Sequence, residues 1–207
     1  MEMMSSDYYY TIDTPGTAEF KDRGSKFIGF AFPITDSADF KVKLQQLKDE
    51  HPKAAHHCFA YRLGIDGNNF RSGDDGEPSG SAGRPILGQI DSRQLTNVVV
   101  IVIRYFGGTL LGIPGLINAY KTSAALALQT TPIIQKAVEV NYHLEFDYTR
   151  MNDVMTLLKK YNCSILNQSV DLFCQMDIGV PRSNEELALL KLKDVYGLQT
   201  EKKANKQ

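Results

Sequence analysis

The hydrophobic positions organise the first half of the chain around residues 96–128. Val98 to Ile103 form an unbroken apolar run, mostly β-branched. A half-exposed strand would alternate, so the run predicts a central strand buried on both faces. Arg104-Tyr105-Phe106 closes it, and Gly107, Gly108, Gly112 and Gly115 punctuate a loop. Leu116, Ala119, Tyr120, Ser123, Ala124 and Ala127 then recur at helical spacing as far as Gln129. Pro114 suits a first helical turn, where its missing N–H has no partner to lose.

Upstream, residues 17–22 and 26–34 predict a hairpin joined by Asp22-Arg23-Gly24-Ser25. Asp36 followed by Asp39 starts a helix with an apolar stripe of Phe40, Leu44 and Leu47, ended by Pro52. Residues 54–63 predict a strand. Its period of two puts Ala55, His57, Phe59 and Tyr61 on one face and His56, Cys58, Ala60 and Arg62 on the other. Asp66-Gly67-Asn68-Asn69 is a turn and Phe70-Arg71 a short return strand. Residues 72–83 are too rich in Gly, Ser and Asp for core, and Ala82, Ile86, Leu87 and Ile90 mark a helix after them.

The pattern resets near Thr130-Thr131-Pro132, which divides the chain into domains of residues 1–133 and 134–207. Val138, Val140, Tyr142, Leu144 and Phe146 alternate as a strand, and Val154, Leu157, Leu158 and Tyr161 give a helix over 152–161. Residues 164–167 are a short strand, and Val170, Leu172, Cys174, Met176 and Ile178 alternate as the next. Ser183-Asn184 with Glu185 and Glu186 starts a helix facing inward through Leu189, Leu192 and Tyr196. Gly197 caps it, and residues 198–201 return as an edge strand. The order βαββαβ predicts a ferredoxin-like domain within an α+β chain. A frayed tail is expected over residues 202–207.

Composition narrows the class. With 43% hydrophobic residues and a net charge of −1, the chain can bury a proper core and carries no global basic field for nucleic acid or membrane. Its halves hold 14 basic against 14 acidic residues (1–137) and 9 against 10 (138–207), so neither is a polyelectrolyte. No apolar run is long enough to span a bilayer, and Met1 to Tyr10 lacks a signal pattern, which predicts a cytoplasmic protein. Cys58, Cys163 and Cys174 are too scattered for a disulfide framework or zinc site, and no motif asks for a cofactor.

Candidate chemistry lies in three places. The glycine loop and the helix after it could hold an anion, or could serve only to let the chain turn. It has neither the P-loop nor the dinucleotide spacing. Five of the eight arginines (Arg62, Arg71, Arg84, Arg93, Arg104) fall between positions 62 and 104, either as phosphate ligands or as partners of Asp66, Asp74, Asp75, Glu77 and Asp91. His56-His57-Cys58 admits a nucleophile or metal reading or a packed-core one. Asp74, Asp75 and Glu77 could bind a divalent cation or act as acid and base. Alternatively the aspartates form a turn, while Glu77 and the serines cap the helix at Ala82.

Taken together, His56-His57-Cys58-Phe59-Ala60-Tyr61-Arg62, Asp74-Asp75-Gly76-Glu77-Pro78-Ser79-Gly80, Ala82-Gly83-Arg84-Pro85-Ile86-Leu87 and Arg104-Tyr105-Phe106-Gly107-Gly108 closely resemble the signature of the IMPACT family, in its bacterial YigZ-like branch. The resemblance covers residues 17–129. It implies an N-terminal domain similar to the second domain of a small-subunit ribosomal protein and a C-terminal domain similar to the last domain of elongation factor G. It also implies translational regulation, as in the eukaryotic relatives, with RNA, the ribosome or a translation factor as partner. The implied anion or nucleic-acid surface comprises Arg62, Arg71, Arg84, Arg104, Gly107, Gly108 and Lys121, and the motif pocket comprises His56, His57, Asp74, Asp75, Glu77 and Ser79. This chain departs from the family pattern at Leu110, where a lysine is common, at Pro114-Gly115 in place of Gly-Gly, and at Asn118 in place of an arginine. Two readings stand beside RNA contact: a regulator that binds only proteins, and a small metal-dependent hydrolase built on Asp74, Asp75, Glu77, His56 and Cys58.

Overall fold

The computed structural model describes residues 7–171 and 173–203. These form two compact units, one of residues 9–136 and the other of residues 137–203 with residues 7–8.

Strand β1 (Tyr8–Ile12) is followed by β2 (Gly16–Asp22) and β3 (Ser25–Pro33), the predicted hairpin. At its turn Arg23 and Gly24 both take positive φ (43° and 81°), as in the type I′ turns whose twist matches a hairpin's. Helix α1 (Ser37–Glu50) starts where Asp36 accepts the amides of Ala38 and Asp39, a cap worth about 1 kcal/mol. Then come β4 (His56–Leu63), β5 (Asn69–Gly73), α2 (Gly83–Asp91), β6 (Val98–Tyr105), α3 (Gly112–Gln129) and β7 (Ile133–Ala137).

The five-stranded sheet runs β2-β3-β6-β4-β5 with antiparallel neighbours, so β6 lies at its centre. Val98, Val100 and Val102 pack with Ile86 and Ile90 of α2 and Leu116, Ala119 and Tyr120 of α3. Val99, Ile101 and Ile103 pack with Phe40 and Leu47 of α1. Both faces are covered, which is why β6 carries no polar alternation. The same parity places Cys58 and Ala60 of β4 toward α2 and α3, and Tyr61 and Leu63 toward α1. Strands β1 and β7 pair in a separate two-stranded sheet that the hydrophobic pattern did not foretell.

The second unit follows the order β8 (Glu139–Asp147), α4 (Met151–Lys160), β9 (Ser164–Val170), β10 (Phe173–Pro181), α5 (Glu185–Lys193) and β11 (Gln199–Lys202). Its antiparallel sheet runs β11-β8-β10-β9. One face buries Val140, Leu144, Phe146, Met176 and Ile178 against Val154 and Leu158 of α4 and Ala188 and Leu192 of α5.

Three local expectations are corrected. Val170 ends β9 rather than opening β10. It lies opposite Cys174 across the hairpin, and cross-strand partners share a face, so the alternation runs on through the turn; Leu172 lies outside the described residues. Asn184 does not cap α5 with its side chain, because its amide instead donates to the Tyr161 carbonyl (3.1 Å). Helix α5 ends at Lys193, so Gly197 is not its cap but a positive-φ turn residue (78°), and Tyr196 is exposed. The expected frayed tail lies outside the described residues from 204 onward.

Candidate functional site

The loop between β5 and α2 folds back over the helix it precedes. Asp74 accepts the amides of Ala82 (3.0 Å) and Gly83 (2.8 Å) on one oxygen and that of Gly80 (2.8 Å) on the other. Burial pushes its carboxyl up, but these three amides together with the Arg84 charge more than offset that, and it sits below the usual carboxylate range. Asp74 is thus the N-terminal anion of α2. The expected cap from Glu77 and the serines is not formed, since the Ser81 hydroxyl donates to the Pro78 carbonyl (2.6 Å) and Glu77 turns inward.

Glu77 is the centre of a buried polar cluster. One carboxylate oxygen accepts Arg104 Nη1 (2.7 Å) and the Tyr120 hydroxyl (2.7 Å), and His56 Nε2 stands 3.8 Å away. Side-chain exposure is 4% for Glu77 and 6% for Arg104, so both charges are taken out of water. The guanidinium lies between the rings of Phe27 and Phe106, each centroid 5.5 Å away. Its Nη2 reaches Ser25 Oγ (3.4 Å), which also accepts the Gly107 amide (3.2 Å). Gly107 in turn lies against the hairpin turn so closely that a Cβ would come within 1.9 Å of the Gly24 carbonyl carbon. Glycine at 107 is required by that backbone approach.

The other motif residues brace the same region. His56 Nδ1 meets the Asp75 carbonyl (2.8 Å); a carbonyl can only accept, so Nδ1 carries the hydrogen. The His57 amide donates to Asp75 Oδ2 (2.6 Å), and burial holds the His57 imidazole below the usual histidine range despite the Asp75 charge. Cys58 Sγ lies 3.0 Å from the Asp74 carbonyl, and burial pushes its thiol far above the ordinary range, with Tyr120 only partly offsetting that. A thiol in that state is a poor nucleophile. Asp74, Asp75 and Glu77 point to three different partners, and no group of three metal-ligating side chains is assembled among the described residues. Ser79 is exposed on the loop.

The cationic residues divide. Arg104 is internal. Arg62 is held by Asp91, with Nε and Nη2 each 2.8 Å from one carboxylate oxygen, and by the Gly67 carbonyl, and it covers the Phe70 ring. Arg71 (over the Phe59 ring), Arg84 and Lys121 are exposed and form no ion pair among the described residues. Sequence reading missed Ser25 and Tyr120 as members of the polar cluster, and Arg23, whose Nη2 donates to the Leu111 carbonyl (2.9 Å) at the glycine loop. A tyrosine on the buried stripe of a helix was the available signal, because its hydroxyl needs a partner.

Around that loop the surface is apolar. Phe106 (52% exposed), Leu110 (82%), Ile113 (55%) and Ile117 (39%) leave roughly 400 Å² of apolar side chain in water, within the range of a typical monomer's largest patch, which is often functional.

The chain is thus a mixed α/β protein in two units, with a charge pair and a tyrosine packed together beside a glycine loop. Residues 23–128 match the Impact N-terminal domain. The chain belongs to the IMPACT family. It is 33% identical to an IMPACT family member of Haemophilus influenzae over 78% of this chain and 80% of that one. It is 30% identical to YigZ of Escherichia coli over 87% and 89%, and 32% identical to YvyE of Bacillus subtilis over 73% and 70%. A crystal structure of a hypothetical protein, 27% identical, superposes over 97% of this chain and 100% of that one with a TM-score of 0.74.

Proposed function

We propose that this protein is a cytoplasmic, translation-associated regulator that acts by binding a protein partner through the glycine loop and the first turns of α3. Family membership brings translation into the reading, since the resemblance implies it for the eukaryotic relatives. The single observation that carries the protein-contact reading is the exposed patch Phe106, Leu110, Ile113 and Ile117, lying where an anion pocket was expected, while Arg104 is spent on Glu77. Apolar side chains in water are matched by apolar side chains of a partner, not by phosphate. RNA contact retains the support of the exposed cations Arg71, Arg84 and Lys121, which form no ion pair among the described residues. The finer fold analogies belong to the same proposal: strand order β11-β8-β10-β9 supports a ferredoxin-like second domain, and the division of the compact units at 136/137 supports a domain boundary close to, though three residues beyond, the expected 133/134.

A pull-down from cell lysate, run with and without ribonuclease on the wild type and on Leu110→Glu, tests this. We expect a discrete protein set that survives ribonuclease and is lost with Leu110→Glu. Recovery that depends on intact RNA and ignores position 110 would overturn it.

A further inference from the structure

Resting on that reading, we infer that the loop–helix surface takes a protein segment whose apolar anchors are bracketed by carboxylates. Charge around the patch sets the chemistry of that segment. No acidic residue stands between Asp91 and Glu139, so residues 106–111 are uncharged and Lys121 is the one charged residue of α3. Ile113, Ile117 and Lys121 follow one another at i, i+4 and i+8, which places the cation at the end of the apolar stripe on a single helix face. Arg23 stands across the helix from that stripe, tied to the Leu111 carbonyl and so close to α3 that a Cβ on Gly115, two positions from both Ile113 and Ile117, would lie 2.8 Å from its Nη2. The acid facing it is Asp22, 3.7 Å from Arg23 Nε and on the same turn.

The helix end adds positive potential of its own. Leu111, the residue before α3, offers no side-chain acceptor to the first amides, in contrast to Asp74 at α2. Unsatisfied amides and the dipole favour negative charge beside that end. An apolar strip with Lys121 at one end and an electropositive helix start at the other therefore selects hydrophobic anchors flanked by Asp or Glu. Single-stranded RNA fits it poorly, because bases need aromatic faces to stack on. Leu110, Ile113 and Ile117 are aliphatic, and Phe106 already has the Arg104 guanidinium over its ring.

The test is a peptide-display selection on the full chain, with enriched sequences made as labelled peptides and titrated by fluorescence anisotropy. We expect peptides with two or three large apolar residues and a net negative charge. Their affinity should fall at least ten-fold with Leu110→Glu or Ile117→Asp, fall severalfold with Lys121→Glu, and weaken as salt rises. All three positions are exposed, and unchanged thermal unfolding of the variants confirms intact folds. If peptides need Leu110 but are neutral or basic, or ignore Lys121→Glu, the charge inference is overturned while the protein-contact reading stands. If no selected peptide needs Leu110, both are overturned, and a labelled mixed-sequence RNA whose binding requires Arg84 would put nucleic acid in their place.

Discussion

Glu77→Gln tests the central claim about the motif residues, because it removes one charge and hardly alters shape. In the wild type Glu77 and Arg104 neutralise each other with both side chains almost wholly out of water, and Tyr120 completes the carboxylate's shell. With glutamine the guanidinium stays buried without a counter-ion, since Ser25 offers only a neutral oxygen at 3.4 Å. Breaking a buried pair by removing one partner costs about 3–5 kcal/mol, most of it the stranded charge. At about 3 °C per kcal/mol for a unit of this size, its melting point should drop by about 10–15 °C. Arg104→Met alone should cost a similar amount. The double variant, in which no charge is stranded, should be more stable than the two losses added together by at least about 2 kcal/mol. The assay is denaturant unfolding of all four chains, followed by circular dichroism and tyrosine fluorescence. Additive losses, or a Glu77→Gln change within about 0.5 kcal/mol of zero, would refute the idea that these residues are a structural clamp.

Further expectations follow from other contacts. Asp74→Ala strips three amides of their acceptor and should cost about 1–3 kcal/mol, measured by chemical denaturation. Because Asp74 titrates lower folded than unfolded, its contribution is full above about pH 4 and is lost as pH falls through the folded value; Asp74→Ala should flatten that acid limb. His57 is also lowered on folding, so stability should decline as pH drops below about 6.5, and His57→Asn should remove that part of the slope in a pH series of melts. Cys58 and Cys174 are buried, and burial pushes Cys163 up to about 11, so a thiol reagent should label the native chain far more slowly than the unfolded one. Labelling of any cysteine at the free-thiol rate would contradict this packing.

What could be read from sequence was local. The two-faced burial of β6 follows from its unbroken apolar run, the β2–β3 hairpin from a turn whose residues accept positive φ, and the α1 start from Asp36. Strands β1 and β7 were illegible because each is short, half exposed and paired with a segment more than a hundred residues away. The same holds for the site. Glu77 lies in a loop polar enough to look solvated, and its burial depends on Arg104 and Tyr120, which are 27 and 43 positions further on. The motifs announced the family correctly. They could not announce that Arg104 points inward, because an arginine's use is decided by what the fold places beside it.

The carboxylate of Asp74 is, in effect, a tethered ligand. It sits against the first amides of α2, the position at which a helix in other proteins would receive a phosphate. Held there by a short loop, it has an effective concentration of the order of millimolar or above. A phosphate-bearing partner would have to displace a group that cannot diffuse away. That helix end is closed to competition by the chain itself, and of the two helices that flank β6 on this face, only α3 presents an open end to solvent.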